Sequence, residues 1–261
     1  MALMQVNFFS DVLGMETQMN VILPQQTSGQ IGVKNSDTCG RIPTLYLLHG
    51  MSDDHSTWLR RTSIERYAED LGIAVVMPTT HLGWYTDMNV GNRYWTYISE
   101  ELPRICRSFF KDLSDRREET FAAGLSMGGY GAMKLGLGAS DTFGAVASLS
   151  GGLDAIAVAR GDLGGGRFWW SIFGDEEQVT GSDNDLFALA TRLKESGKPL
   201  PKIYMWCGTE DFLYDHNIRM RDRLKGLGYD LTYEECPGDH QWKYWDQKIQ
   251  NVLDWLPIEK K

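Results

Sequence analysis

The sequence is poor in several things, and each shortage narrows what the chain can be. Only 4 cysteines occur in 261 residues (Cys39, Cys106, Cys207 and Cys236), and no two are close enough to form a C-x-x-C pair. That spacing argues against a zinc ribbon or a disulfide scaffold and favours reduced thiols without a structural metal. Prolines number 8, and a hydrophobic fraction of 42% is that of a globular chain rather than a disordered, collagen-like or coiled-coil one. Long apolar runs are absent: Ile73–Met77 is among the longest, far below the ~18 residues of a membrane-spanning helix. Positive charge is in deficit, with 26 basic against 35 acidic residues and a net charge of −9. Such a balance disfavours nucleic acid or an anionic membrane as the main partner, because little would neutralise the phosphates. Met1–Gly14 has no basic leader followed by an apolar run, so no secretory signal is read there and a cytoplasmic protein is expected.

What is present is alternation. Met4–Ser10 and Thr17–Pro24 read as an antiparallel pair, followed by a polar surface loop over Gln25–Arg41. Apolar, strand-sized runs then occur at Thr44–Leu48, Ile73–Met77, Thr120–Leu125, Ala145–Leu149, Lys202–Cys207 and Leu231–Glu235. Helical patterns fall between them, at Ser56–Leu71, Tyr94–Phe110, Met127–Ala139, Asp185–Glu195, His216–Leu227 and Gln241–Leu256. Strands alternating with helices predict one α/β domain over 1–261, with a mostly parallel sheet and helices on both faces. Right-handed crossovers then bring the C-terminal ends of the strands to one edge, where loops can assemble a site. One interval breaks the rhythm. Residues 151–184 are Gly-rich and hold Phe168-Trp169-Trp170-Ser171-Ile172-Phe173, which reads either as a cap-like or lid-like insertion or as a loop anchored by its aromatics.

The sharpest chemical signal is Gly124-Leu125-Ser126-Met127-Gly128, with an apolar run before it and a small-residue helix after it. This is the nucleophile-elbow pattern of the α/β-hydrolase fold. A turn tight enough to lift a serine hydroxyl off a sheet edge leaves no room for Cβ atoms two positions away, which accounts for both glycines. A serine hydroxyl needs a base, and the base needs a carboxylate to orient it. In the chain order Ser, acid, His, the histidines after Ser126 are His216 and His240. His240 follows the last strand pattern in Cys236-Pro237-Gly238-Asp239-His240, at the expected edge, whereas His216 falls early in a helical pattern. For the acid, Gly208-Thr209-Glu210-Asp211-Phe212 offers Glu210 and Asp211, the latter also a plausible helix cap. Backbone N–H groups of Met127, after the nucleophile, and of Met51, in Leu47-Leu48-His49-Gly50-Met51, are the oxyanion-hole candidates. His49 reads as a brace for that loop. Asp53 and Asp54 beside His55 read as caps of the next helix rather than metal ligands. Trp58, Trp95, Phe168 and Trp169 are the candidates for substrate contact, with core packing as the plainer alternative.

These segments resemble a known family. Leu47–Met51, Asn92–Pro103, Gly124–Ala132, Cys207–Tyr214 and Gly238–His240 are similar to the bacterial tributyrin esterases. Those enzymes belong to the esterase D-like group of α/β-hydrolases, with S-formylglutathione hydrolases and feruloyl or acetyl-sugar esterases. The resemblance implies a serine carboxylesterase of short acyl chains with Ser126, Asp211 and His240 as its triad. It also implies a cytoplasmic enzyme without a cofactor, a small-molecule ester as substrate, and homo-oligomers. A thioesterase or an acyltransferase on the same scaffold is the alternative.

Overall fold

A computed structural model describes residues 1–25, 27, 29, 31 and 41–258. Of the expected loop at 25–41, residues 25, 27, 29, 31 and 41 are described, and Cys39 lies outside the described residues. The strands are β1 (Ala2–Ser10), β2 (Met15–Leu23), β3 (Thr44–Leu48), β4 (Ala74–Pro78), β5 (Thr120–Leu125), β6 (Ala145–Leu149), β7 (Lys202–Gly208) and β8 (Leu231–Cys236). They form one sheet in the order β1-β2-β4-β3-β5-β6-β7-β8. β1 pairs antiparallel with β2, and β2 with β4, while β3 to β8 run parallel. The mostly parallel sheet is the one expected from the alternation, antiparallel N-terminal pair included, and its layout is the α/β-hydrolase fold that the elbow pattern and the family resemblance imply. β3, β4, β5 and β6 are buried along their whole length, which is why they read as unbroken apolar runs rather than alternating ones.

Helices cover both faces: α1 (Thr57–Arg61), α2 (Ile64–Glu69), α3 (Tyr94–Thr96), α4 (Leu102–Phe109), α5 (Met127–Gly138) and α6 (Ala155–Arg160), then α7 (Gly166–Phe173), α8 (Glu176–Val179), α9 (Leu186–Glu195), α10 (Tyr214–Gly226) and α11 (Trp242–Trp255). Alternate strand residues feed two cores. Tyr46, Ala122 and Val146 pack with α4, α5 and α9 on one face, and Leu45, Phe121 and Ala145 pack with α2 and α11 on the other.

Two expected helices are interrupted for local reasons. Ser56–Leu71 divides at Thr62, whose extended backbone ends α1. The Thr62 hydroxyl donates to the Trp58 carbonyl at 2.6 Å and accepts the Ile64 N–H at 3.1 Å, closing one helix and opening the next. Tyr94–Phe110 widens into a π-helical turn at Tyr97–Glu101, just before Pro103. Proline has no N–H for the Ser99 carbonyl and its ring crowds that turn. The interval 151–184 is not a bare loop, since it carries α6, α7 and α8. The Asp154 carboxylate caps α6 by accepting the Ala157 N–H, and Asp185 caps α9 by accepting from Phe187 and Ala188.

Candidate active site

Ser126 stands between β5 and α5 with φ 54° and ψ −117°, a conformation that costs a non-glycine residue on the order of 1–3 kcal/mol. Its surroundings enforce it. The Ser126 N–H donates to the Leu149 carbonyl at 2.9 Å, and its carbonyl accepts from Tyr130 at 3.1 Å and Gly152 at 3.3 Å. A Cβ on Gly124 would come within 2.9 Å of the Gly128 Cα, and one on Gly128 within 2.7 Å of the His49 carbonyl oxygen. The elbow can form only because both are glycine.

The other two side chains arrive from the ends of β7 and β8. His240 Nε2 lies 3.0 Å from Ser126 Oγ, and His240 Nδ1 lies 2.8 and 3.0 Å from the two oxygens of Asp211. The Asp211 side chain is wholly buried and that of His240 is 19% exposed. Asp211 also accepts the Leu213 N–H at 2.9 Å, so a turn-capping role and a partnership with histidine coexist in one carboxylate. Glu210, the other acid in this loop, faces elsewhere and accepts the Gly238 N–H. His216, early in α10, is buried, and its Nδ1 accepts the Asp154 N–H at 3.3 Å. Desolvation pushes its pKa down. It lies apart from the serine–histidine contact.

The loop after β3 closes the site on the remaining side. His49 Nε2 accepts the Thr80 N–H at 3.0 Å, which leaves the proton on Nδ1 to be donated to the Gly50 carbonyl at 2.8 Å. The ring is 1% exposed, and burial pushes its pKa down to about 4. Leu48 pairs with Gly124 and Gly50 packs against the Leu125 side chain, so the chain leading into Met51 runs along the elbow, while the Met127 N–H heads α5, where no helical carbonyl is available to it. His55 Nδ1 meets the Thr79 hydroxyl at 2.7 Å, and the Asp54 carboxylate accepts from the Ser56 N–H at 2.8 Å.

An acid, a base and a strained serine in one hydrogen-bonded line is the layout of serine esterases, and comparison with known proteins agrees. The chain matches the Esterase family, described as "Putative esterase", over residues 10–256. The chain belongs to that family. An acetyl esterase of Caldicellulosiruptor saccharolyticus is 35% identical over 263 residues, covering 98% of each chain. FphF, a fluorophosphonate-binding serine hydrolase of Staphylococcus aureus solved with substrate bound, is 36% identical over 98% of each chain, with a TM-score of 0.87. An S-formylglutathione hydrolase (FrmB) of the same organism is 35% identical over 98% of each chain, with a TM-score of 0.85. The chain is thus a carboxylic ester hydrolase of the α/β-hydrolase class.

In this esterase two of the four aromatic candidates for substrate contact, Trp58 and Trp95, pack away from Ser126, and Phe168 and Trp169 pack against other rings. Trp58 is 1% exposed, donates its indole N–H to the Leu48 carbonyl at 3.0 Å and stands edge-on to Trp242 at 5.0 Å. It belongs to the core under α1 and α11. Trp95 lies near the far end of α5, with the Lys134 Nζ 4.7 Å from its ring, roughly 15 Å along the helix from Ser126 at 1.5 Å per residue. Trp169 is buried against Trp84 at 5.1 Å and Phe173 at 6.4 Å, and Phe168 packs on Trp169 at 4.8 Å. Those rings dock the 151–184 segment onto the core. The same segment is tied to α5 at Asn184, whose carbonyl accepts the Tyr130 hydroxyl at 2.9 Å and whose Oδ1 accepts from the Lys134 Nζ at 2.6 Å.

Two neighbours of the imidazole escaped the sequence reading. Phe212 lies 4.6 Å from the His240 ring at 51°, and Trp245 lies 4.8 Å from it at 84° on α11. Trp245 is itself fixed by an N–H donated to the Ser150 Oγ at 3.1 Å. Phe212 adjoins Asp211 in sequence and could have been suspected on that ground. Nothing local marks Trp245, which comes to the histidine through packing of α11.

Proposed function

We propose that this esterase hydrolyses short-chain acyl esters through an acyl-enzyme on Ser126. The observation that carries it is the unbroken line Asp211–His240–Ser126, with both contacts of the imidazole at 2.8–3.0 Å. His240 Nε2 takes the hydroxyl proton as Ser126 Oγ attacks the ester carbonyl. Asp211 holds the imidazole with its proton on Nδ1 and stabilises the imidazolium. The Met51 and Met127 N–H groups bind the oxyanion, each worth about 3 kcal/mol in the transition state. The imidazolium then protonates the departing alcohol, and water activated by His240 releases the acid. No cofactor enters these steps, since the chain supplies proton transfer and oxyanion binding itself.

An acetyl group is the first acyl substrate to try, in view of the acetyl esterase relative. The likeness to an S-formylglutathione hydrolase favours a second reading, a thioesterase using the same acyl-enzyme. Turnover of an acetyl ester against an acetyl thioester separates the two. We also propose that residues 1–261 act as a single cytoplasmic domain, with 151–184 as an insertion over the nucleophile helix. Ser126→Ala is expected to lower p-nitrophenyl butyrate hydrolysis by about 10⁴-fold or more while the circular-dichroism spectrum is retained. Substantial turnover by that variant rejects the mechanism.

A further inference from the structure

Phe212 is 63% exposed, the most exposed large apolar side chain of the loops that converge on Ser126. Its place is fixed by its neighbours. Asp211 and Leu213 on either side are buried, and the Leu213 N–H is held by Asp211 Oδ1, so the intervening ring is left outside. It is not a stray surface aromatic either, since its centroid is 4.6 Å from that of His240. Trp245 closes the imidazole from another side, edge-on at 4.8 Å. The histidine is therefore bracketed by two rings, one buried and one open to solvent.

We propose that Phe212 is the contact surface for the alcohol half of the ester and favours flat, apolar alcohols such as aryl ones. This rests on the acyl-enzyme reading given above. Chemistry decides which half of the ester meets Phe212. In acylation the bond from Ser126 Oγ to the carbonyl carbon forms and the bond from that carbon to the alcohol oxygen breaks. The proton taken from Ser126 by His240 Nε2 passes to that same alcohol oxygen. The alcohol must therefore place its oxygen within hydrogen-bond reach of Nε2, and its remaining atoms lie on the imidazole side, where the Phe212 ring is. The acyl half stays on Ser126 Oγ, on the side of the Met51 and Met127 amides. An aryl alcohol can cover the exposed ring, gaining the apolar burial and offset-ring contact that a solvated Phe212 lacks.

The test holds the acyl group fixed and varies the alcohol. Ethyl, phenyl and 2-naphthyl acetate are compared in the wild type, Phe212→Ala and Phe212→Trp. The wild-type-to-variant ratio of kcat/KM for each ester cancels the intrinsic reactivity of its leaving group. For Phe212→Ala the ratio is expected to be about 5–10-fold larger for 2-naphthyl acetate than for ethyl acetate, with phenyl acetate between them. Phe212→Trp is expected to restore the aryl preference. With phenol fixed as the alcohol, the ratio stays constant from acetate to hexanoate. An equal ratio for all three alcohols overturns the proposal, because Phe212 then acts only by steadying His240. A ratio that changes with acyl length overturns it too, by assigning Phe212 to the other half of the substrate. Failure of the acyl-enzyme reading shows separately, as retained turnover in Ser126→Ala.

Discussion

Gly208 and Gly238 approach so closely that a Cβ on Gly208 would run into the Gly238 backbone, 2.6 Å from its carbonyl carbon. This contact joins the two loops that carry Asp211 and His240. Three hydrogen bonds reinforce it: Thr209 N–H to the Cys236 carbonyl at 3.0 Å, Glu210 N–H to the Gly238 carbonyl at 3.0 Å, and Gly238 N–H to the Glu210 carboxylate. Acid and base are thus positioned by backbone pairing that continues past the ends of β7 and β8. Gly208→Ala is expected to push the loops apart and to lower kcat/KM for p-nitrophenyl acetate by about 10²-fold, the usual cost of a displacement near 1 Å. Steady-state kinetics beside an unfolding curve checks this. Unimpaired kinetics would show that the juxtaposition is not needed.

Trp169 separates core packing from substrate contact. Buried against Trp84 and Phe173, it docks the 151–184 segment onto the nucleophile face. Trp169→Ala is expected to lower the free energy of unfolding in urea by about 3–5 kcal/mol. A higher KM with unchanged stability would instead return Trp169 to the substrate pocket.

His49 gives stability a definite dependence on pH. Burial lowers its pKa from 6.5 to about 4 in the folded protein. Between those values the unfolded chain binds more protons than the folded one at this position, so stability falls as pH drops from 6.5 to 4. The position contributes about 3 kcal/mol of that fall, at 1.36 kcal/mol per unit. His49→Asn removes the titration and is expected to flatten the profile by about 2 kcal/mol between pH 6.5 and 4.5, measured by urea unfolding at those two values. An unchanged slope would mean that His49 charges without cost.

The parts of the fold and site legible in the sequence were those with local causes. β3, β5 and β6 fall where the apolar runs place them, because strands buried on both faces admit few polar residues. The elbow at Ser126 is legible because its steric demand is met within five residues. His240 and Asp211 were reachable through chain order and resemblance, as each directly follows a strand. Tertiary packing decided the rest. Trp58 stands in the first turn of α1, after a capped turn, yet its indole turns to the Leu48 carbonyl and the core under α1 and α11. The division at Thr62 depends on a hydroxyl choosing the Trp58 carbonyl, which no periodicity announces. The bracket of Phe212 and Trp245 around His240 joins residues on different elements, and only the folded chain brings them together.

Covalent capture of the nucleophile tests the mechanism at its root. The protein is incubated with a fluorophosphonate, its intact mass is measured, and the modified peptide is located by fragmentation. One adduct per chain, on Ser126, abolished by Ser126→Ala and strongly slowed by His240→Ala, is the expected result. A wild-type protein that stays unlabelled, or an adduct on any other residue, would contradict it.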